Sequence, residues 1–315
     1  DYTGGGCPHI LAEPQRTNTL LYSEDFSQYL AGGTAPTLTT GQLAPDGTYN
    51  ATKVSGVLNS TSLYRNSESS TTASRSIYAR TVSGTGTVNL MSYGGNTNNN
   101  FTITEEWQRF ELTGSSATGG TNFYAVDFRF PSSNPLTELI IWGCQSEEAT
   151  YPTSYIPTSG STVTRNQDIF TRDGIGSLIN STEGVLFVEM AALSLLSDVS
   201  RVIMLTSSDG LNYVNIYFQS DGKLTVYNNV NGVNTVLFEQ VLNDITLFNK
   251  CALKWGSQGY ELWANGIKLE SSTSTSVPIG LSEINFNWNG GIRHFYGKVK
   301  QLQVYDTSLS DEQLL

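Results

Sequence analysis

"LNYVNIYFQSDGKLTVYNNV", residues 211–230, holds two runs of alternating side chains on either side of a turn signal. Val214, Ile216 and Phe218 form one apolar face, Leu224 and Val226 form another, and Ser220-Asp221-Gly222 supplies the connection between them. A period of two is that of a strand with one buried face, and Asp-Gly between two such strands signals a β-hairpin. Ser257-Gln258-Gly259 and Ala264-Asn265-Gly266 repeat the device, and "EGVLFVEMAAL", "RVIMLTSS", "VNTVLFEQV", "INFNWNGG" and "FYGKVKQLQVYDTSLS" read as further strands. A lone sheet of such strands would leave its apolar face wet, whereas two sheets stacked about 10 Å apart bury both faces. The second half is therefore expected to be an antiparallel β-sandwich.

The first half carries the same texture in shorter pieces. Pro45-Asp46-Gly47 separates two Thr-rich runs in "PTLTTGQLAPDGTYNATKV". In "ASRSIYARTVSGTGTVNLMSYGG", Ile77 and Ala79 alternate with Tyr78 and Arg80, and Val88 and Leu90 follow a Ser83-Gly84 turn, which predicts a hairpin. "FTITEEWQRFELTGSS" and "FYAVDFRFPSS" supply strands, and "LTELIIWGCQSEE" a strongly apolar one. No helical period persists, so this half too is expected to be an antiparallel sandwich. At 315 residues the chain exceeds the size at which one core usually keeps growing. Two domains are predicted, 1–160 and 161–315, both all-β.

Composition narrows the partners. Charged residues make up 14% and the formal net charge is -11, with no basic cluster, so nucleic acid and anionic membranes would be repelled. No apolar run approaches the ~20 residues of a membrane span, and no membrane insertion is expected. The sequence begins without Met, and a longer or processed product is expected. Cys7, Cys144 and Cys251 lack the spacing of a zinc site. Buried free thiols are expected, with a Cys7–Cys144 disulfide as the alternative.

The strings "LAEPQRTNTLLYSEDFSQYL", "APDGTYNATKV", "SRSIYAR", "EEWQRFELT" and "IIWGCQSEEATYPTSYIPTSGSTVTRNQD" together resemble the jelly-roll carbohydrate-binding-like modules of phage tail and other virion appendage proteins and of some secreted bacterial polysaccharide-active proteins, over residues 8–168. From "RVIMLTSS" to "GKVKQLQVYDTSLSDEQ", over residues 183–315, the chain resembles the laminin-G-like and pentraxin-like branch of the concanavalin A-like lectin/glucanase superfamily. The resemblance implies a jelly-roll followed by a concanavalin A-like sandwich. It also implies a structural Ca2+ in the first domain, held by Glu24 or Asp25 and by Glu147 or Glu148. The second domain departs from its family's calcium pattern, with Lys298, Lys300 and Gln301 where acidic residues are usual.

Sugar binding requires a flat aromatic for the apolar face of a pyranose and polar groups for its hydroxyls. Tyr64, Tyr78, Arg80 and Tyr93 are the leading candidates in the first domain, with Arg65, Asn96, Asn98 and Tyr124 near them; Asn285, Asn287, Trp288 and Arg293 are those in the second. Trp288, between asparagines and glycines, is expected to be the exposed stacking residue, while Trp107, Trp142, Trp255 and Trp263 lie in apolar contexts that suit packing. Catalytic patterns are missing: Glu105-Glu106 and Glu147-Glu148 are adjacent pairs that leave a strand on opposite faces, and no G-x-S-x-G elbow occurs. Arg293, His294 and Tyr296 contain the groups of a polysaccharide lyase, so a lyase or hydrolase is the alternative reading, and a purely structural virion protein a second alternative. The expected function is non-catalytic glycan binding or adhesion at an extracellular or virion surface, in a homo-oligomer such as a trimer whose repetition strengthens weak sites.

"ATYPTSYIPTSGSTVTR", residues 149–165, falls where a linker would be. Tyr151, Tyr155, Ile156 and Val163 are wrong for a flexible tether, so an ordered strap is predicted, with Tyr155 and Ile156 packed on the first domain and Pro152 and Pro157 stiffening its path.

Overall fold

The computed structural model describes residues 8–66, 73–92, 99–115, 122–195, 200–288 and 290–314. In chain order, its first strands are β1 (Ile10–Ala12), β2 (Arg16–Asn18), β3 (Leu30–Gly32), β4 (Thr37–Gln42), β5 (Ala51–Ser55), β6 (Ser62–Asn66), β7 (Ala73–Arg80), β8 (Gly86–Asn89), β9 (Asn100–Ile103), β10 (Gln108–Ser115), β11 (Asn122–Asp127), β12 (Glu138–Glu147) and β13 (Val163–Arg165). They are followed by β14 (Thr171–Arg172), β15 (Gly184–Ala192), β16 (Arg201–Ser207), β17 (Tyr213–Phe218), β18 (Leu224–Val230), β19 (Val233–Gln240), β20 (Asn249–Gly256), β21 (Gly259–Ala264), β22 (Ile267–Ser272), β23 (Leu281–Asn285) and β24 (Gly297–Tyr305), then a short helix α1 (Asp311–Leu314). The protein is all-β and antiparallel throughout its named sheets, and no helix among the described residues is long and apolar enough to cross a membrane.

The chain divides into two compact units, Gln15–Asn166 and Asp1–Pro14 with Gln167–Leu315. In the first unit, sheet β10-β7-β12-β5-β4 stacks on sheet β3-β6-β11-β8-β9. Val54, Ile77, Ala79, Leu139 and Ile141 meet Leu63, Val88, Phe123, Ala125 and Val126 in a single core. Each fully buried aliphatic side chain of this kind stabilises the fold by about 1.5–3 kcal/mol relative to exposure. The segment 73–90, predicted to be a hairpin, is instead a crossover: β7 lies in one sheet and β8 in the other. Both edges of β7 are taken by β10 and β12, and the two apolar faces meet across the core rather than side by side. Arg75, fully buried on β7, reaches across to the carbonyls of Met91 and Ser92, both at 3.1 Å, and of Asn122 at 3.3 Å.

The 149–165 strap belongs to this unit and is tied down along its length. Ile156 is 2% exposed; its N–H donates to Gln145 Oε1 (2.6 Å) and its carbonyl accepts from Asn18 Nδ2 (2.8 Å). Thr158 N–H donates to Ser23 Oγ (2.8 Å), Gly160 N–H to the Leu21 carbonyl (2.7 Å), and β13 pairs with β2. Tyr155 packs on Trp142 with centroids 4.5 Å apart. Tyr155 and Ile156 therefore pack as predicted.

In the second unit, sheet β1-β24-β15-β20-β21-β22 stacks on sheet β14-β23-β16-β17-β18-β19. Leu186, Val188, Leu253 and Leu262 from one sheet meet Ile203, Leu205, Val214, Ile216 and Val226 from the other. The β17–β18, β20–β21 and β21–β22 hairpins fall where the turn signals place them. Asn231-Gly232 makes a fourth between β18 and β19, with φ of 52° and 82°, the left-handed pair that a type I′ turn demands. The N-terminal residues, assigned by sequence to the first domain, contribute β1 to the edge of β24 in this unit. The passages into and out of the intervening unit are clasped together: Glu13 N–H donates to Asp168 Oδ2 and Asp168 N–H to the Glu13 carbonyl, both at 2.9 Å.

Cys144 and Cys251 are buried free thiols, and Cys7 lies outside the described residues. Burial pushes the Cys251 thiol up to about 12 and the Cys144 thiol higher still. Both are expected to resist alkylation at pH 8 in the native protein and to react at the normal rate once it is unfolded, which mass spectrometry of alkylated peptides reads directly. The amides of Thr153, Ile156, Thr158 and Gly160 should exchange far more slowly than in a free peptide; free-peptide rates across 151–163 would refute an ordered strap.

Candidate functional site

Alternation along the strands of the second unit sends Ile203, Leu205, Val214, Ile216 and Val226 into the core, so their neighbours stand on the outer face of sheet β14-β23-β16-β17-β18-β19. Cross-strand register then places Asn285, Met204, Asn215 and Tyr227 in one row. A second row runs through Glu283, Thr206, Tyr213 and Asn229, and a third through Val202, Tyr217, Thr225 and Glu239. The outer face is thus aromatic and amide-rich rather than plainly polar.

Trp288 is carried onto this face by the tight turn after β23. Its N–H donates to the Ile292 carbonyl at 2.7 Å, and Gly291 N–H donates to the Trp288 carbonyl at 3.1 Å. Its indole contacts three tyrosines, Tyr213 at 5.5 Å, Tyr227 at 5.9 Å and Tyr217 at 6.1 Å between centroids. The Arg293 guanidinium lies 5.1 Å from the indole centroid, within cation–π range. Arg293 reaches that place from a left-handed backbone, φ 53°. Trp288 is half-buried, framed by tyrosines instead of standing free as the sequence suggested. Burial raises the phenol pKa of Tyr213 and Tyr217, so both hydroxyls stay protonated and able to donate.

Beside the aromatic cluster lies an open cleft of about 270 Å3 whose lining includes Thr206, Ser207, Asp209, Glu283, Asn285 and Asn287. Thr206 pairs directly with Tyr213, so cleft and aromatics are continuous. Of the residues expected to bind ligand, Asn285, Asn287, Trp288 and Arg293 are brought together here. The sequence reading missed Tyr213, Tyr217, Tyr227 and Glu283; alternation places a residue on one face or the other, but which face meets solvent becomes plain only once both sheets are assembled.

The first-unit candidates are not gathered in the same way. Tyr64 stands on β6, packed at a tilt against Tyr124 with centroids 4.9 Å apart, on the outer face of one sheet. Tyr78 and Arg80 stand on β7, on the outer face of the other sheet, with the core between. Tyr78 packs on Trp142 (5.3 Å) and Arg80 lies over Trp107 (5.5 Å). Arg65 covers Tyr22 at 4.7 Å. Tyr93, Asn96 and Asn98 lie outside the described residues.

The carboxylates proposed for calcium accept hydrogen bonds within the first unit. Glu147 is fully buried and accepts from Thr153 N–H (2.8 Å), Thr153 Oγ1 (2.5 Å) and Gln145 Nε2 (2.7 Å). Glu24 accepts from the Tyr155 hydroxyl (2.7 Å) and Asn50 Nδ2 (2.6 Å). Asp25 caps a short 3-10 turn through Ser27 N–H at 3.1 Å. Among the described residues no group of three or more His, Cys, Asp or Glu side chains is placed to hold a metal ion. Glu24 and Glu147 thus hold the strap from two sides.

Of the three lyase candidates, His294 and Tyr296 adjoin, their rings stacked with centroids 5.9 Å apart. His294 is 9% exposed, and Gln167 bonds to both: its amide Nε2 is 3.1 Å from His294 Nε2, and its Oε1 accepts from the Tyr296 hydroxyl at 2.6 Å. The exposed Arg293 lies against Trp288.

No protein-family model and no curated protein matches the sequence. Among solved structures the chain is similar to a CBM40 of an IT-sialidase from Ruminococcus gnavus, at 16% identity over 46% of this chain and 96% of that one, with a TM-score of 0.37. It is also similar to a SAP-like pentraxin from Limulus polyphemus, at 12% identity over 42% and 68%, TM-score 0.35. Domain 4 of AbnA, a GH43 arabinanase from Geobacillus stearothermophilus solved with arabinotriose, gives 13% identity over 50% and 81%, TM-score 0.36.

Replacing Glu147 by Ala strands three donors in a buried setting and is expected to cost about 3 kcal/mol in urea unfolding. The loss should be the same in calcium and in excess EDTA, because the carboxylate's work is to hold the strap.

Proposed function

We propose that the protein is a non-catalytic glycan-binding and adhesion unit that engages sugar on the outer face of sheet β14-β23-β16-β17-β18-β19. The observation that carries this reading is the junction of an aromatic cluster, Trp288 with Tyr213, Tyr217 and Tyr227, with a polar cleft containing Asn285 and Asn287. Sugars present apolar C–H faces and flanking hydroxyls, and aromatic rings beside amides match both at once. Aromatic packing of this kind contributes about 0.5–1.5 kcal/mol beyond the area buried, so a single site would be weak and repetition on an oligomer would supply strength. A trimeric phage tail fibre or other virion appendage recognising a cell-surface polysaccharide fits that arithmetic and the sequence resemblance of the first half.

The test is a glycan array followed by calorimetry on the full chain. At least one oligosaccharide should bind at millimolar concentration or better, and Trp288→Ala should weaken it roughly tenfold, about 1.4 kcal/mol, with thermal unfolding recorded to confirm folding. The absence of any binder at millimolar concentration would defeat the proposal.

A further inference from the structure

We infer that the cleft beside Trp288 selects uncharged, hydroxyl-rich pyranoses and rejects carboxylated or sulfated glycans; this rests on the glycan-binding reading of the same face. The cleft's polar lining sets hydroxyls and amides, which donate and accept, beside two acidic residues. Glu283 and Asp209 each bring a carboxylate, and no lining residue among those described is cationic. Asp209 uses Oδ1 for the Ser207 hydroxyl (2.5 Å) and the Leu211 N–H (2.9 Å), and these bonds hold its pKa below the usual carboxylate range, so the group is ionised at neutral pH. The Glu283 side chain makes no hydrogen bond among the described residues and stands half-buried on the sheet face opposite Thr206.

Asn287 points to the same conclusion from a different direction. It is 7% exposed, yet its amide makes no hydrogen bond among the described residues, and it lines the cleft. Its amide atoms reach the solvent of the cleft, so a ligand that both donates to and accepts from the amide replaces both of its water contacts at once. A sugar hydroxyl does both, whereas ionised carboxylates only accept. Hydroxyl hydrogens of a neutral pyranose can therefore go to Glu283 and Asp209 while Asn287 and Asn285 bridge adjacent oxygens. A uronate or sulfate would set its own anion against these two acidic side chains, a repulsion that salt screens because Asp209 is exposed. Arg293 carries the nearest positive charge, but it lies over the indole and is not among the described residues lining the cleft.

The decisive experiment is calorimetry of the full chain with neutral hexose oligomers and uronic-acid oligomers of the same length, at about 50 mM and about 500 mM salt. The neutral series should bind roughly tenfold more tightly at low salt, and the gap should narrow at high salt as the carboxylates are screened. Glu283→Gln, which keeps the shape and removes the charge, should shrink the gap to about threefold or less. Asn287→Ala should weaken neutral binding roughly fivefold. Equal or tighter binding of the acidic series, or a gap that Glu283→Gln leaves intact, would overturn the selectivity while leaving glycan binding standing. Failure of both series to bind the wild-type chain would overturn glycan binding at this face, and the selectivity with it.

Discussion

Successive side chains of a β-strand leave on opposite faces, and in each unit two sheets must cover each other's apolar side. That constraint does more than build the cores. Once Ile203, Leu205, Val214 and Ile216 are committed inward, Met204, Thr206, Tyr213, Asn215 and Tyr217 have only the outer face left to them. The aromatic and amide surface around Trp288 is the complement of the core, drawn by the same register. A one-residue slip of β17 would exchange the two sets, placing tyrosines and an asparagine inside and valine and isoleucine outside. The core therefore protects the site's geometry, and the site carries no scaffold of its own.

The same economy governs the acidic residues of the first unit. Acidic side chains are most often solvated, but Glu147 is fully buried and Glu24 partly so, each supplied with donors from the strap and its surroundings. A buried carboxylate with three donors is held in one place, and the strap that supplies two of those donors is held in return. Trp142 and Asn50 extend the arrangement, since the indole N–H donates to Asn50 Oδ1 at 2.9 Å and Asn50 in turn donates to Glu24. Residues 149–165 are thereby a structural part of the sandwich, although their composition is that of a loop.

Local features were the legible ones. The hairpins around Asp221-Gly222, Ser257-Gln258-Gly259 and Asn265-Gly266 involve neighbours in sequence, so turn chemistry and alternation sufficed. Ser83-Gly84 has the same signature and joins different sheets, because whether two strands pair or cross depends on which edges are free, and β10 and β12 lie far along the chain from β7. The placement of β1 beside β24 spans almost the whole sequence and has no local signal. In the site, Trp288 among asparagines and glycines was visible because its surroundings are themselves polar. Tyr213, Tyr217 and Tyr227 resemble ordinary strand residues until the sheet shows which side faces solvent. Tyr64 and Tyr78 illustrate the converse, since similar contexts sent them to opposite faces of one sandwich.

The pairing of Ile10–Ala12 with Gly297–Tyr305 makes the interior unit an excursion between two parts of the other. During synthesis, the interior unit has all of its strands as soon as Asn166 has emerged, whereas β1 must wait for β24. Until then β1 has no partner, and the other sandwich closes only after Gly297–Tyr305 has emerged. Vectorial synthesis thus gives the two units separate folding times, and the Glu13–Asp168 clasp is the point at which the early and late halves of the outer unit first meet.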